Sequence, residues 1–311
     1  MPDLTPIPPS APTEHELDTD LVPLFLLRYE AANTRRSYAN DLAQFFGTEA
    51  VTLRMARAVS FVDVNTHLER IAAEGARPST IQRRVAALRG FFSWLVALGL
   101  LELNPADRHL IRRTQRSRRR DRVITYLTRE EARRLIEAVD PGSKAYARDQ
   151  TLMLVLLHCV LRRSEARAMD FEHLRQIGQH WVLELPSTKG GADQYVKVPP
   201  KVAESILQLQ TVYGYEGGAV WRSLSNNSYG RRISATTIYN IVRNAARNAG
   251  LEASIGAHTL RHTGCTLAIE AGATLQQVQF HARHKSLETT MIYVHQRERL
   301  RDSAADYIDL G

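Results

Sequence analysis

Apolar residues recur at helical spacing along most of this chain, and the few departures from that period are informative. Between about Glu14 and Pro105 the pattern predicts four helices. The first lies in "ELDTDLVPLFLLRYEA". The second is "NTRRSYANDLAQFFGTE", with Asn33 or Thr34 placed to cap it. The third, "VSFVDVNTHLERIAAEG", is closed by Gly75. The fourth is long, "RPSTIQRRVAALRGFFSWLVALGLLELNP". Pro78 suits its first turn, Ser79 or Thr80 supports the start, and Asn104-Pro105 ends it. Val85, Leu88, Phe92, Leu95 and Val96 form its apolar stripe. Four helices in this length predict one compact all-α domain.

A second helical region begins at "YLTREEARRLIEAVD", where Thr128 and Glu131 have capping-box spacing. "RDQTLMLVLLHCVL" is apolar nearly all round and is expected at the centre of a core. The period then changes. In "QHWVLELPSTKGGADQYVKVP", Trp181, Leu183 and Leu185 alternate, Gly190-Gly191 turn the chain, and Tyr195, Val196 and Val198 alternate again. That is a β-hairpin with Lys189 beside its turn. Helices resume at "KVAESILQLQ", and a polar loop, "RSLSNNSYGRR", precedes the capped helix "SATTIYNIVRNAARNAG". "HTLRHTGCTLAIEAG" and "TLQQVQFHARH" follow. The expected fold is mainly α: an all-α N-terminal domain, then a mostly helical domain with a small antiparallel sheet.

Composition refines this picture. Hydrophobic residues make up 44% of the 311, enough for two cores. No run of about 18 apolar residues is present, so no membrane partner is expected. The acidic, proline-rich start lacks the pattern of a secretory leader and reads as a disordered tail over residues 1–13. Cys159 and Cys265 sit in apolar helical contexts without motif spacing, as buried thiols of a reducing cytoplasm would.

The charge is concentrated. Residues 108–122, "RHLIRRTQRSRRRDR", hold eight arginines and one aspartate, a net of +7 out of a formal +8 for the whole chain. Such a run repels itself and needs solvent or a polyanion around it. It reads as a linker over residues 108–123, between a helical domain at 14–107 and a second domain at 124–311. Arg112, Arg113, Arg116, Arg118, Arg119 and Arg120 are its candidate phosphate contacts. Arg35, Arg36, Arg83, Arg84 and Arg89 give the N-terminal helices basic faces, for DNA phosphates or for water.

The candidate chemistry lies in the second region. Arg162 and Arg163 follow its most apolar helix, with Glu165 three residues after Arg162. Lys189 is at the hairpin. His258 and Arg261 share a helix face, and His284 precedes Tyr293 by nine positions. Singly, each has a plain explanation, such as an arginine on helix-end carbonyls or a satisfied histidine. The pairs His258/His262 and His281/His284 have the spacing of half a zinc site, but no glutamate or cysteine pair completes one. Together, fixed cations and donors suit the extra negative charge of a phosphodiester in transition. Cations also favour the phenolate of a tyrosine, whose ordinary pKa is about 10.

The order of the boxes "VLRRSEA", "STKGG", "HTLRHTG" and "HARHKSLETTMIYVH" resembles the tyrosine recombinases, the phage integrase family. Successive key positions are separated by 27, 69, 3, 23 and 9 residues. The resemblance spans the second domain. The N-terminal helices and "LELNPA" also look like the core-binding domain of Xer-like and simple phage integrases. It implies a site-specific recombinase, without metal or other cofactor and without ATP. Arg162 and Arg261 would clamp the scissile phosphate, and Lys189 would protonate the leaving 5′-oxygen. His258 would move a proton, His284 would donate to the phosphate, and Tyr293 would attack. Glu165 looks like the supporting acid, and His262 completes its box, more structural than reactive. Implied partners are double-stranded DNA with a specific site and further protomers, of itself or of a partner recombinase, four in all. The implied location is cytoplasmic, on a bacterial or phage nucleoid. Leu300, Ala304, Tyr307 and Ile308 form an apolar stripe in the tail, to dock on a neighbour or on its own domain.

Two residues depart from the family pattern. Val160 and Arg283 stand where glycine is usual, before the leucine of the first box and before the second histidine. Lys197, on the same hairpin as Lys189, is the rival for its role. Type IB topoisomerases use a similar constellation, and a DNA-binding regulator of the same fold is the non-catalytic alternative.

Overall fold

The computed structural model describes residues 18–112, 125–185, 194–252, 254–284 and 286–291. The tail at 1–13, most of the arginine run, the hairpin turn with Lys189, and Tyr293 lie outside the described residues. The chain divides into two compact units, Met1–Arg119 and Arg120–Gly311.

The first unit is all helical among its described residues: α1 (Val22–Leu26), α2 (Ala32–Phe46), α3 (Leu53–Arg57), α4 (Phe61–Ala73) and α5 (Pro78–Ala97). Two details differ from the sequence expectation. Helix α2 starts at Ala32, and its N-cap Ala31 offers no side-chain cap, so neither Asn33 nor Thr34 is the cap. Helix α3 is an additional short element, started by Thr52, whose hydroxyl accepts from the Met55 amide. Its five residues are too few for a periodic apolar signal. The core gathers Phe25, Leu42, Leu68, Leu88, Phe91, Phe92 and Leu95, all buried. Asp41 is buried as well, and both Arg83 and Arg84 pair with it. Arg89 donates to the Ala106 carbonyl at 3.1 Å.

In the second unit, α6 (Arg129–Glu137) opens with the expected Thr128–Glu131 capping box. Helix α7 (Tyr146–His158) is central and packs against α6, α9 and α11. Helix α8 (Arg163–Arg167) leads to a three-stranded antiparallel sheet in the order β1-β2-β3: Leu174–Ile177, His180–Leu185 and Gln194–Val198. The expected hairpin is β2–β3, with Trp181 opposite Val198. Strand β1 was not legible, because only Leu174 of its four residues is buried. Helices α9 (Pro200–Tyr213), α10 (Ala235–Asn248), α11 (Ala257–Glu270) and α12 (Leu275–Ala282) complete the described order, and 287–291 is again helical. Among the described residues no helix is long and apolar enough to cross a membrane. Both cysteines are buried, and burial pushes the Cys159 thiol up to about 12.

Close approach of α11 to the end of α7 depends on Gly264. A Cβ there would fall on the Leu157 carbonyl oxygen and 2.6 Å from Cγ1 of Val160. Backbone on one side leaves no flexible group to yield. Gly264→Ala is therefore expected to lower stability by about 1–3 kcal/mol, at the high end for one added methyl group. Chemical denaturation with the slope unchanged checks it.

Candidate active site

The site is built where two helices end. Helix α7 closes with Cys159 as C-cap, and Val160 follows with φ +43°. Helix α12 closes at Arg283 with φ +54°, and the His284 amide reaches back to the Gln279 carbonyl at 3.0 Å. Left-handed residues commonly finish helices this way, and glycine is the usual occupant. Among the described residues, these are the two non-glycine positions with positive φ. They are the same two positions that depart from the family pattern. A left-handed non-glycine residue costs of order 1–3 kcal/mol, and β-branched valine is the harder case.

The carbonyls at these two helix ends hold the arginines. Arg261, on α11, is 2% exposed. Its Nη1 donates to the Val160 carbonyl and its Nη2 to the Ala282 carbonyl. Arg162 is the N-cap of α8, and its Nη2 donates to the Arg283 carbonyl at 3.3 Å. Helix C-termini carry partial negative charge, which favours guanidinium groups there. These bonds are the plain explanation for a helix-end arginine.

Glu165 ties the cluster together. As N3 of α8 its Oε2 accepts from the Arg162 amide at 2.7 Å, and its Oε1 accepts from Arg162 Nη1 at 2.6 Å. The three-residue spacing noted in the sequence therefore serves a helix cap and an ion pair at once. Arg283 Nη2 donates to Oε2 at 2.9 Å. Glu165 is 4% exposed. Burial pushes its carboxyl up, but Arg283 and then the Arg162 hydrogen bonds pull it below the ordinary carboxylate range. Burial, with Arg162 and Arg283 next, brings Arg261 down to about 10, still a cation at neutral pH.

The histidines divide by environment. His284 follows the α12 turn, and its Nδ1 lies 2.9 Å from Oγ1 of the buried Thr290. Burial first, then Arg261 and Arg162, lowers it to about 4. His258 is exposed on α11, with its ring centroid 4.3 Å from that of His262. Burial and His258 bring His262 to about 3. Nε2 of His281 lies 2.7 Å from the His158 carbonyl oxygen. No group of three or more metal-ligating side chains occurs among the described residues.

Arg162, Glu165, Arg261 and His284 thus come together, with His258 on the helix that supplies Arg261. Lys189 and Tyr293 lie outside the described residues. Lys197 is exposed on β3. Sequence reasoning missed Thr290 and the carbonyl of Val160. It placed Arg283 where glycine is usual, without its contact to Glu165. The departure of two expected glycines was the available signal.

Comparison with known proteins extends beyond these residues. The profile of the phage integrase family matches residues 125–299, and that of the phage integrase N-terminal SAM-like domain matches 23–99. Tyrosine recombinase XerC of Thermodesulfovibrio yellowstonii is 28% identical over 276 residues, covering 87% of this chain and 88% of that protein. Tyrosine recombinase XerD of Pseudomonas putida is 29% identical over 290 residues, covering 90% and 92%. Among solved structures, XerH recombinase bound to palindromic difH substrate superposes with a TM-score of 0.70 at 20% identity, over 88% of this chain and 79% of that one. A lambda integrase dimer bound to a COC′ core site gives 0.68 at 17%, over 93% and 78%. These two structures share the fold: a helical first unit and a helical second unit with a small sheet. With the integrase profile spanning more than half of its length, the chain belongs to the phage integrase family and is a tyrosine recombinase.

Proposed function

We propose that this recombinase cuts and rejoins duplex DNA at a specific site through a 3′-phosphotyrosyl intermediate, with Tyr293 as the nucleophile. The observation that carries the reading is the convergence of Arg162, Arg261 and His284 on the two helix ends. Arg162 and Arg261 bind the non-bridging oxygens of the scissile phosphate and stabilise the charge that grows on them. The His284 tautomer in which Nδ1 accepts from Thr290 carries its N–H on Nε2, a donor to the same phosphate. Tyr293 Oη attacks phosphorus, the bond to the 5′-oxygen breaks, and Lys189 gives that oxygen its proton. His258 takes the phenol proton. One phosphate ester replaces another, so the reverse attack by a 5′-hydroxyl rejoins a strand without ATP or metal.

The arginines outside the site hold the duplex. Arg35 and Arg36 are exposed on α2 and meet phosphates directly. Arg83 and Arg84 are anchored by Asp41, and Arg112 is exposed beside Glu69. Further phosphate contacts by Arg113, Arg116, Arg118, Arg119 and Arg120, in the run at 108–123, belong to the same proposal. Domain limits of 14–107 and 124–311 go with that role. Four protomers on two sites, in a cytoplasmic nucleoid setting, complete the reading.

The test uses a site selected by the protein from a random-sequence duplex library, rebuilt as a nicked suicide substrate. With EDTA present, a covalent protein–DNA adduct is expected on a denaturing gel, and two-site mixtures are expected to exchange partners. A bound site that yields no adduct would sink the proposal, and adduct lost on chelation would call for a metal. Adduct without partner exchange would indicate a topoisomerase instead.

A further inference from the structure

Arg283 has no step in the reaction above, yet its side chain is among the most committed in the site. It is 5% exposed. Its Nη1 donates to the His281 carbonyl at 2.7 Å, and its Nη2 to Glu165 at 2.9 Å and to the Val160 carbonyl at 3.3 Å. Its own carbonyl accepts from Arg162. Arg283 is thus held through its backbone by one phosphate-binding arginine and shares a carboxylate with it. Glycine would adopt the same left-handed turn without strain, so the turn alone does not account for an arginine. The difference lies in what the side chain touches.

The charge arrangement gives that contact a consequence. The guanidiniums of Arg162 and Arg283 both pair with one described carboxylate, that of Glu165, and Arg261 is near enough to feel all three charges. With Arg283 absent, Arg162 would be the one arginine paired with Glu165, and an arginine matched by a buried carboxylate is a weaker ligand for a phosphate. With Arg283 present, one carboxylate oxygen has a second cation. Arg162 then keeps most of its charge for the substrate. The same ion pair pins the turn that carries His284 to the start of α8.

We propose that Arg283 is a positioning residue for strand cleavage: it takes up the charge of Glu165, so that Arg162 stays available to the scissile phosphate, and it fixes the His284 turn. The inference rests on the recombinase reading. A wild-type protein that forms no adduct would count against that reading, whereas the comparisons below address Arg283 alone.

The experiment measures single-turnover adduct formation by the full chain on its selected suicide duplex, with duplex affinity and thermal unfolding alongside. Arg283→Gln is expected to slow adduct formation by about tenfold or more, with affinity changed less than about threefold. Adding Glu165→Gln removes the carboxylate that Arg283 had balanced, so the double variant is expected to react faster than Arg283→Gln alone. A purely structural role gives the opposite order, since a second damaged contact only adds loss. An Arg283→Gln rate equal to wild type, or a double variant no faster than the single, overturns the proposal. If Arg283→Gln melts below the assay temperature, Arg283→Lys carries the test, because it keeps the charge without the fork. Adduct formation within about threefold of wild type then supports the proposal, and a larger loss overturns it.

Discussion

Tyr293→Phe is expected to leave no detectable adduct on the suicide duplex while binding that duplex within about threefold of wild type. The substitution removes a single oxygen. In the proposed reaction that oxygen is the one atom through which the protein becomes bonded to DNA, and no rearrangement of the phosphate-binding groups can replace it. In the same reading, duplex affinity comes from many phosphate contacts, which the change does not touch. The rate should therefore fall by at least about four orders of magnitude, the range seen when a covalent nucleophile is deleted. The variant should also accumulate uncleaved complexes, which makes it the reagent of choice for footprinting the site. Peptide mapping of the wild-type adduct is the companion measurement. A DNA-linked peptide that excludes Tyr293, or an adduct persisting in Tyr293→Phe, would remove the nucleophile from the proposal.

The second large effect is expected at Arg261, where chemistry and folding coincide. Arg261→Ala should reduce adduct formation by about 10²–10³-fold, the usual loss for a group aimed at developing charge. It should also destabilise the protein. The Ala282 carbonyl would lose its donor in a buried place, at a cost of about 1–3 kcal/mol, while the Val160 carbonyl would keep Arg283 at 3.3 Å. Arg261→Lys separates the two contributions. It keeps a positive charge but cannot reach two carbonyls with a planar fork. Its unfolding midpoint should fall with that of the alanine variant, while part of the phosphate stabilisation survives. Full activity in Arg261→Ala would exclude the residue from the reaction, and unchanged stability would contradict the hydrogen bonds described for it.

Much of this was legible in the chain before any coordinates. The apolar periods located α4, α5, α7 and the β2–β3 hairpin, because each buries a long, regular stripe. The short α3 and the mostly exposed β1 gave no stripe to read. The N-terminus of α2 was misread, since polar residues at 33 and 34 suggested a cap where the backbone had already turned helical at Ala32. In the site, the Arg162–Glu165 spacing and the "HTLRH" box were legible as local patterns. The link between Glu165 and Arg283 was not, as it joins residues 118 apart in the chain. The missing glycines at 160 and 283 marked the right places without saying what had replaced their freedom. Only the fold shows that the two left-handed turns face the same guanidinium.

The burial of both thiols has a practical consequence. Cys159, held near 12, exists almost wholly as the unreactive thiol at neutral pH, and Cys265 is equally enclosed. A cysteine introduced on the exposed face of α2 or α10 would then be the one fast-alkylating group in the native protein. Pairs of dyes placed this way could follow the two units on and off DNA in real time, with the natural cysteines left in place.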